Sequence, residues 1–329
     1  MKMNKHQLLI IKDLKTYFFT RRGIVKAVDS VSFSVGAGEV LGIVGESGSG
    51  KSITCLSILR LLPQPAGRIV DGEIRLNGEN LLEKSESEMQ RYRGRQIALI
   101  PQDPMSSLNP VFSIGDQMTA PMKYHLGVSG SQAHEKMETL LSKVSIPSPK
   151  QRSRQFPHQM SGGMRQRILG AISISCNPAL LIADEPTTAL DVISQDQFIR
   201  LLKAIQTERQ LSMIWVTHDM SVVSKVCDRV AVMYAGTIVE TAPVGSLFNQ
   251  PTHPYTIGLM RSIPELNNRQ EELFSIPGQP PDLLNLPPGC QFAPRCSRAK
   301  KICFEKYPPQ VKIGERHNVN CWLMANDDK

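Results

Sequence analysis

Through residue 80 the apolar positions fall in short runs bounded by turn residues. LLIIKDLKTYFF, VKAVDSVSFSV and GEIRLNGEN read as strands closed off by Gly and Asp. Between the second and third lies EVLGIVG, an apolar run that stops at a glycine-rich segment, and SITCLSILRLL behind it reads as a helix. A further run, QIALI, ends at Pro101, and from 105 to 175 the patterning turns helical, as in HEKMETLLSKV. ALLIAD, SMIWVT and RVAVMY follow as short apolar runs, separated by helical stretches such as DQFIRLLKAIQTERQ. Such alternation predicts an α/β fold around a parallel sheet covered on both faces. From Pro264 the texture changes. IPGQPPDLLNLPPGC has neither period and predicts a linker to a small cysteine-containing tail.

Composition narrows the function class. The 329 residues fit one large domain plus an appendage, or two modest domains. Aromatic residues make up only 5%, which argues against nucleic-acid binding by base stacking. The formal charge of +8 is scattered, with small clusters at Arg91–Arg95, Lys150–Arg154 and Arg295–Lys301, and reads mostly as solvated surface. No window approaches the roughly 18 apolar residues of a membrane span. The N-terminal MKMNKHQLLIIKDL is interrupted by Lys12 and Asp13 and does not read as a signal peptide, so a cytosolic chain is expected. In that setting the seven cysteines read as thiols or metal ligands rather than disulfides.

Residues 45–52 read Gly45-Glu46-Ser47-Gly48-Ser49-Gly50-Lys51-Ser52, which fits G-x-x-x-x-G-K-[ST] between a strand and a helix. Glycines let several backbone N–H groups face one point, where the positive end of the following helix also favours phosphate oxygens. Lys51 is expected to reach the β- and γ-phosphates of ATP and Ser52 to ligate Mg²⁺. LLIADE ends a strand in two carboxylates: Asp184 suits Mg²⁺, through water, and Glu185 suits a general base for the attacking water. SGGMRQR at 161–167 opens another apolar helix with Ser161, Gly162 and Gly163, a second anion-favouring N-terminus.

The order of phosphate loop, SGG helix start, acidic strand end, Asp191 and His218 resembles the ATP-binding-cassette family over roughly residues 8–260. That resemblance implies a mixed-sheet core with an antiparallel β subdomain and a helical subdomain about 103–175, making an ATPase domain over 1–262, with 263–329 as appendage. It also implies roles. Ser161, Gly162 and Gly163 would complete the ATP site of an opposing subunit, although Met164 stands where the family usually has Gln. Gln102 would sense Mg²⁺ and the membrane partner, Asp191 would cross between paired subunits, and His218 would contact the γ-phosphate. Phe18 is the choice for stacking on adenine, with Tyr17 and Phe19 as near competitors.

PQDPMSSLNP, FPHQMSGGMRQR, LLIADEPTTALDV, VMYAGTIVE and HPYTIGLM resemble the di- and oligopeptide importer branch, and within it the D-type ATPase. The branch implies a second, different ATPase, two membrane permeases, an extracytoplasmic solute-binding protein and a peripheral place on the cytoplasmic face of the membrane. Nickel, glutathione and other solutes share it. An ATPase acting on nucleic acid or the ribosome would need a second cassette or an insertion, and neither is visible. A merely nucleotide-holding module would lack Glu185 or His218, and both are present.

Cys290, Cys296, Cys303 and Cys321 are spaced C-x5-C-x6-C-x17-C, unlike the paired C-x2-C of a zinc ribbon. Spacing leaves an iron–sulfur cluster, zinc or free thiols open. The branch resemblance implies a [4Fe-4S] cluster, with Arg295, Arg298, Lys300 and Lys301 stabilising thiolate charge. Cys55, Cys176 and Cys227 lie in apolar helical contexts and are expected to be buried hydrophobes.

Overall fold

The apolar runs become buried strands. The computed structural model describes residues 7–188, 190–263 and 274–325, so the start of the expected linker at Pro264 and the first six residues of the N-terminus lie outside the described residues. Chain order runs β1 (Gln7–Thr20), β2 (Gly23–Gly36), β3 (Val40–Val44), α1 (Lys51–Leu59), β4 (Gly67–Leu76), β5 (Glu79–Asn80), α2 (Glu86–Tyr92), β6 (Ile97–Ile100), α3 (Pro104–Ser107), α4 (Ile114–Leu126), α5 (Gly130–Lys143), α6 (Pro149–Arg152) and α7 (Gly162–Ile174). It continues with β7 (Leu180–Asp184), α8 (Val192–Arg209), β8 (Ser212–Thr217), α9 (Met220–Val226), β9 (Arg229–Tyr234), β10 (Thr237–Pro243), α10 (Val244–Asn249), α11 (Pro254–Arg261), α12 (Lys301–Glu305), β11 (Gln310–Gly314) and β12 (His317–Asn320). Two compact units result. One holds Val35–Glu39 and Glu83–Val216; the other holds Leu9–Ser34, Val40–Leu82 and the chain from Thr217 onward.

In the first unit β6, β7 and β8 run parallel, with Ile97 opposite Leu180 and Asp184 opposite Val216. All five residues of β7 are buried, which is why LLIAD is uniformly apolar until its last position. Helices α4 and α5 pack on each other through side chains four apart, Met118 with Met122 and Met137 with Leu141, all fully buried. Ser113 caps α4 by accepting from the Asp116 N–H, and Ser129 with Gln132 forms a reciprocal capping box at α5.

The second unit contains an antiparallel sheet in the order β2-β1-β4-β5. Leu9 faces Leu76 and Ile11 faces Ile74 across β1 and β4, and all four side chains are buried. Burial of each such side chain contributes roughly 1.5–3 kcal/mol. The same unit carries a mixed set of strands: β3 pairs parallel with β9, β9 antiparallel with β10, and β10 with β12, which pairs with β11.

The tail therefore contains strands and a helix that its sequence texture did not reveal. Its β12 joins β10 with Glu240 opposite Val319. There the buried Glu240 carboxylate lies 2.7 Å from His317 Nε2. The proline-rich segment runs beside β2, where the Lys26 N–H donates to the Leu283 carbonyl at 3.2 Å. Among the described residues no helix is long and apolar enough to cross a membrane.

Candidate nucleotide site

In the second unit the chain leaves β3 at Val44, turns through 45–50 and enters α1 at Lys51. Gly45 has φ 155° and Gly50 φ 102°. A Cβ at Gly45 would stand 2.2 Å from the Met233 carbonyl oxygen, and one at Gly50 2.4 Å from that of Ala27. Only glycine fits both positions, so the loop can lie flat against its neighbours. Lys51 is buried, and its Nζ donates to the carbonyls of Gly45 at 2.8 Å and Glu46 at 2.9 Å. The first turn of α1 carries no acidic residue to offset its positive end. Ser49 Oγ is buried and has no hydrogen-bond partner. A cradle closed to any Cβ, an orphaned hydroxyl and a lysine at a helix start fit a polyphosphate. Ser52 lies half-buried in the same first turn, Ser47 and Gly48 are exposed, and Glu46 is half-buried.

Of the three β1 aromatics, Tyr17 donates its hydroxyl to Asp29 Oδ1 at 2.8 Å; burial, then that hydrogen bond, pushes its hydroxyl pKa up. Phe19 is exposed, with the Arg68 guanidinium carbon 5.3 Å from its ring centroid. Phe18 is half-buried beside Gly67. His218 follows β8 in the chain and is exposed, next to Asp219, which caps α9 by accepting from the Ser221 N–H at 2.8 Å.

In the first unit Asp184 is buried at the end of β7. Glu185 follows with φ 43°, a left-handed conformation that a β-carbon disfavours. Its N–H donates to the Val216 carbonyl at 3.0 Å. Its Oε2 accepts from Gln102 Nε2 and from Thr188 Oγ1, each at 3.2 Å. The structure thus brings Gln102, on the segment after β6, to Glu185. Ser161 and Asp191 are the N-caps of α7 and α8, accepting from the N–H groups of Met164 and Ser194. The Ser194 backbone N–H holds the exposed Asp191 carboxyl below its ordinary range. Gly162 and Gly163 open α7. One residue that sequence reasoning missed is Gln166, buried on α7, whose Nε2 donates to the Pro186 carbonyl at 2.6 Å and fixes the chain just after Glu185.

Other missed residues lie behind the phosphate loop. Tyr255 Oη accepts the Glu46 N–H at 2.8 Å, and Arg295 forms a two-pronged ion pair with the Glu46 carboxylate. HPYT and PRC hold these residues in the sequence, but nothing local signals a partner more than 200 positions away.

The tail corrects one expectation. Cys290, Cys296, Cys303 and Cys321 do border one small cavity, with His253 and Phe292. Yet among the described residues no group of three or more His, Cys, Asp or Glu side chains is placed to hold a metal ion. Burial pushes the Cys290 thiol up to about 11 and raises those of Cys296 and Cys321. Cys303 accepts the Lys300 N–H at 3.4 Å at the start of α12, and Arg295, expected to stabilise thiolates, is committed to Glu46. The expected [4Fe-4S] cluster and its zinc alternative are therefore withdrawn. Cys55, Cys176 and Cys227 are buried thiols outside any disulfide, as expected.

A family model for the ABC transporter matches residues 28–188, and one for the oligopeptide/dipeptide transporter C-terminal region matches 239–303. The oligopeptide transport ATP-binding protein OppD of Bacillus subtilis (strain 168) is 50% identical over 322 residues, covering 98% of this chain and 90% of that one. The chain belongs to the ABC transporter family. Other ABC relatives include the dipeptide transport ATP-binding protein DppD of the same organism, 47% identical with coverage of 97% and 95%. A putative peptide import ATP-binding protein of Brucella ovis is 47% identical, with coverage of 97% and 98%. Among solved structures, a dimeric post-hydrolysis state of the ATP-binding cassette MJ0796 bound to ADP and Pi superposes with TM-score 0.65 at 24% identity. It covers 72% of this chain and 98% of that one, and it supports the ABC cassette fold.

Proposed function

We propose that this ABC family member is the ATP-binding and ATP-hydrolysing subunit that powers import of di- or oligopeptides. The observation that carries the reading is similarity to a peptide-transport ATP-binding protein along 98% of the chain. The match to the peptide-transporter C-terminal region model supports it.

In this reading Lys51 and the N–H groups of 45–52 hold the β- and γ-phosphates, and Phe18 stacks on adenine. Ser52, Asp184 and Gln102 would hold Mg²⁺, which supplies charge neutralisation at the phosphates. Glu185 takes a proton from water as the water oxygen attacks the γ-phosphorus, and ADP leaves with the electron pair of the broken P–O bond. Two neutral donors, Gln102 and Thr188, orient that carboxylate through one of its oxygens. His218 contacts the γ-phosphate. Ser161, Gly162 and Gly163, with Asp191, serve a second ATPase subunit. Residues 1–262 form the ATPase domain and 263–329 the appendage. Two permeases and an extracytoplasmic binding protein complete an assembly in which this chain is peripheral at the cytoplasmic face.

The test is uptake by proteoliposomes holding the chain with its permeases, its paired ATPase and the binding protein. Labelled peptides should accumulate only with Mg-ATP. Accumulation of nickel or glutathione in place of peptides would overturn the solute class, and ATP-independent uptake would overturn the motor role.

A further inference from the structure

The guanidinium of Arg295 has a full set of acceptors. Nη1 donates to Glu46 Oε2 at 2.7 Å and to Tyr234 Oη at 3.2 Å. Nη2 donates to Glu46 Oε1 at 3.1 Å and to the Ile276 carbonyl at 3.1 Å, and Nε to the Pro277 carbonyl at 3.0 Å. Five N–H groups thus meet five acceptors. The side chain is 5% exposed, while that of Glu46 is 28% exposed. The guanidinium carbon also lies 5.7 Å from the Tyr234 ring centroid and 5.9 Å from that of Phe292. The two Glu46 hydrogen bonds, largest among its interactions, hold Arg295 in its charged form.

Glu46 is an odd residue for its place. It is the second position of a loop whose N–H groups and lysine favour anions, and its own carbonyl accepts from Lys51 Nζ. An uncompensated carboxylate there would oppose a triphosphate carrying several negative charges. The fork of Arg295 cancels that charge and fixes the side chain. Meanwhile Tyr255 accepts the Glu46 N–H and packs tilted against Tyr234 and Phe292, which themselves meet edge to face. Loop charge is therefore set from 249 residues away and loop shape from 209.

We propose that Arg295 is a positioning residue of the nucleotide site, supplied by the C-terminal tail, which neutralises and orients Glu46 so that the loop accepts the phosphates of ATP. This rests on the reading of 45–52 as the ATP loop. It assigns the tail a part in nucleotide affinity.

The test is a double-mutant cycle on the full-length chain, with Mg-ATP affinity and KM measured alongside thermal unfolding. Arg295→Ala should weaken ATP binding about tenfold or more, because it leaves a partly buried carboxylate unpaired. Arg295→Lys should recover part of that loss, since a single ammonium restores charge without the fork. The decisive variant is Arg295→Ala/Glu46→Gln, which should bind ATP within about threefold of the parent, the usual scatter of a neutral pair. Equal weakness of the single and double variants would overturn the charge role, as would normal binding by a folded Arg295→Ala chain. If Arg295→Ala fails to fold, the double variant against Glu46→Gln alone still decides: a tenfold gap between these two charge-free loops overturns the proposal. Lys51→Ala in the same assay separates the readings. Normal binding by that variant sinks the loop assignment itself, whereas its loss beside an unaffected Arg295→Ala sinks only the present inference.

Discussion

Two glutamates, Glu46 and Glu185, show how one side-chain type is held in two different ways. Glu46 sits in a loop shaped by two glycines, and a guanidinium grips both of its oxygens. Glu185 sits on a left-handed backbone at the end of β7, with one oxygen held by the neutral donors Gln102 and Thr188. The forked Glu46 carboxylate has both oxygens engaged by one fixed positive charge. The Glu185 carboxylate instead meets an amide and a hydroxyl at one oxygen, and neither donor carries a charge. The surroundings, not the residue type, separate a forked counter-ion from the carboxylate proposed as the base.

The sharpest way to break this comparison is to remove each charge in turn. Glu185→Gln should lower kcat by roughly 10²–10⁴, the range for loss of a general base, while leaving ATP binding nearly intact. Glu46→Gln should leave kcat within about threefold, since its carboxylate takes no part in proton transfer. A steady-state ATPase assay on the reconstituted assembly reads both, and equal losses would erase the distinction.

The next largest effect extends the comparison to the tail thiols. With burial pushing Cys290 up to about 11, roughly one molecule in a thousand carries its thiolate at pH 8. Alkylation of native protein by iodoacetamide, followed by mass spectrometry, should therefore label Cys290 some hundredfold more slowly than in urea. Rapid native labelling would contradict its burial.

The smallest effect concerns the wall behind Glu46. His253 is fully buried, caps α11 by accepting the Tyr255 N–H at 3.1 Å, and burial lowers its pKa to about 3. The unfolded chain takes up this proton near pH 6.5 and the folded chain does not. Its contribution is thus fully present above pH 6.5 and is lost as pH falls from there toward 3, by at most about 1.4 kcal/mol per pH unit. Urea unfolding at pH 7 and pH 5 should show that slope in the parent and a shallower one in His253→Asn, which keeps a capping acceptor.

Much of this was legible in the chain because the informative residues are adjacent. The phosphate loop is eight consecutive residues, and the uniformly apolar β3 and β7 announce strands buried on both faces. Gln166 and Tyr255 were not legible, because their roles depend on which backbone group a fold brings beside them. Arg295 was misread for the same reason: its sequence neighbours are cysteines, but its spatial neighbour is Glu46. The cysteine spacing misled because spacing does not say whether the side chains are placed to hold an ion, and among the described residues no such group is. The strands β11 and β12 escaped notice because QVKIG and HNVN are short and half-polar, and only pairing to β10 defines them.

That pairing has a consequence for anyone shortening the chain. A protein ending before the tail would leave β10 with a row of unsatisfied amides and carbonyls along one side, and would strip Glu240 of its imidazole cover. Such a bare flank is a template for another molecule's strand. The tail thus covers the β10 edge at Glu240 and Thr241.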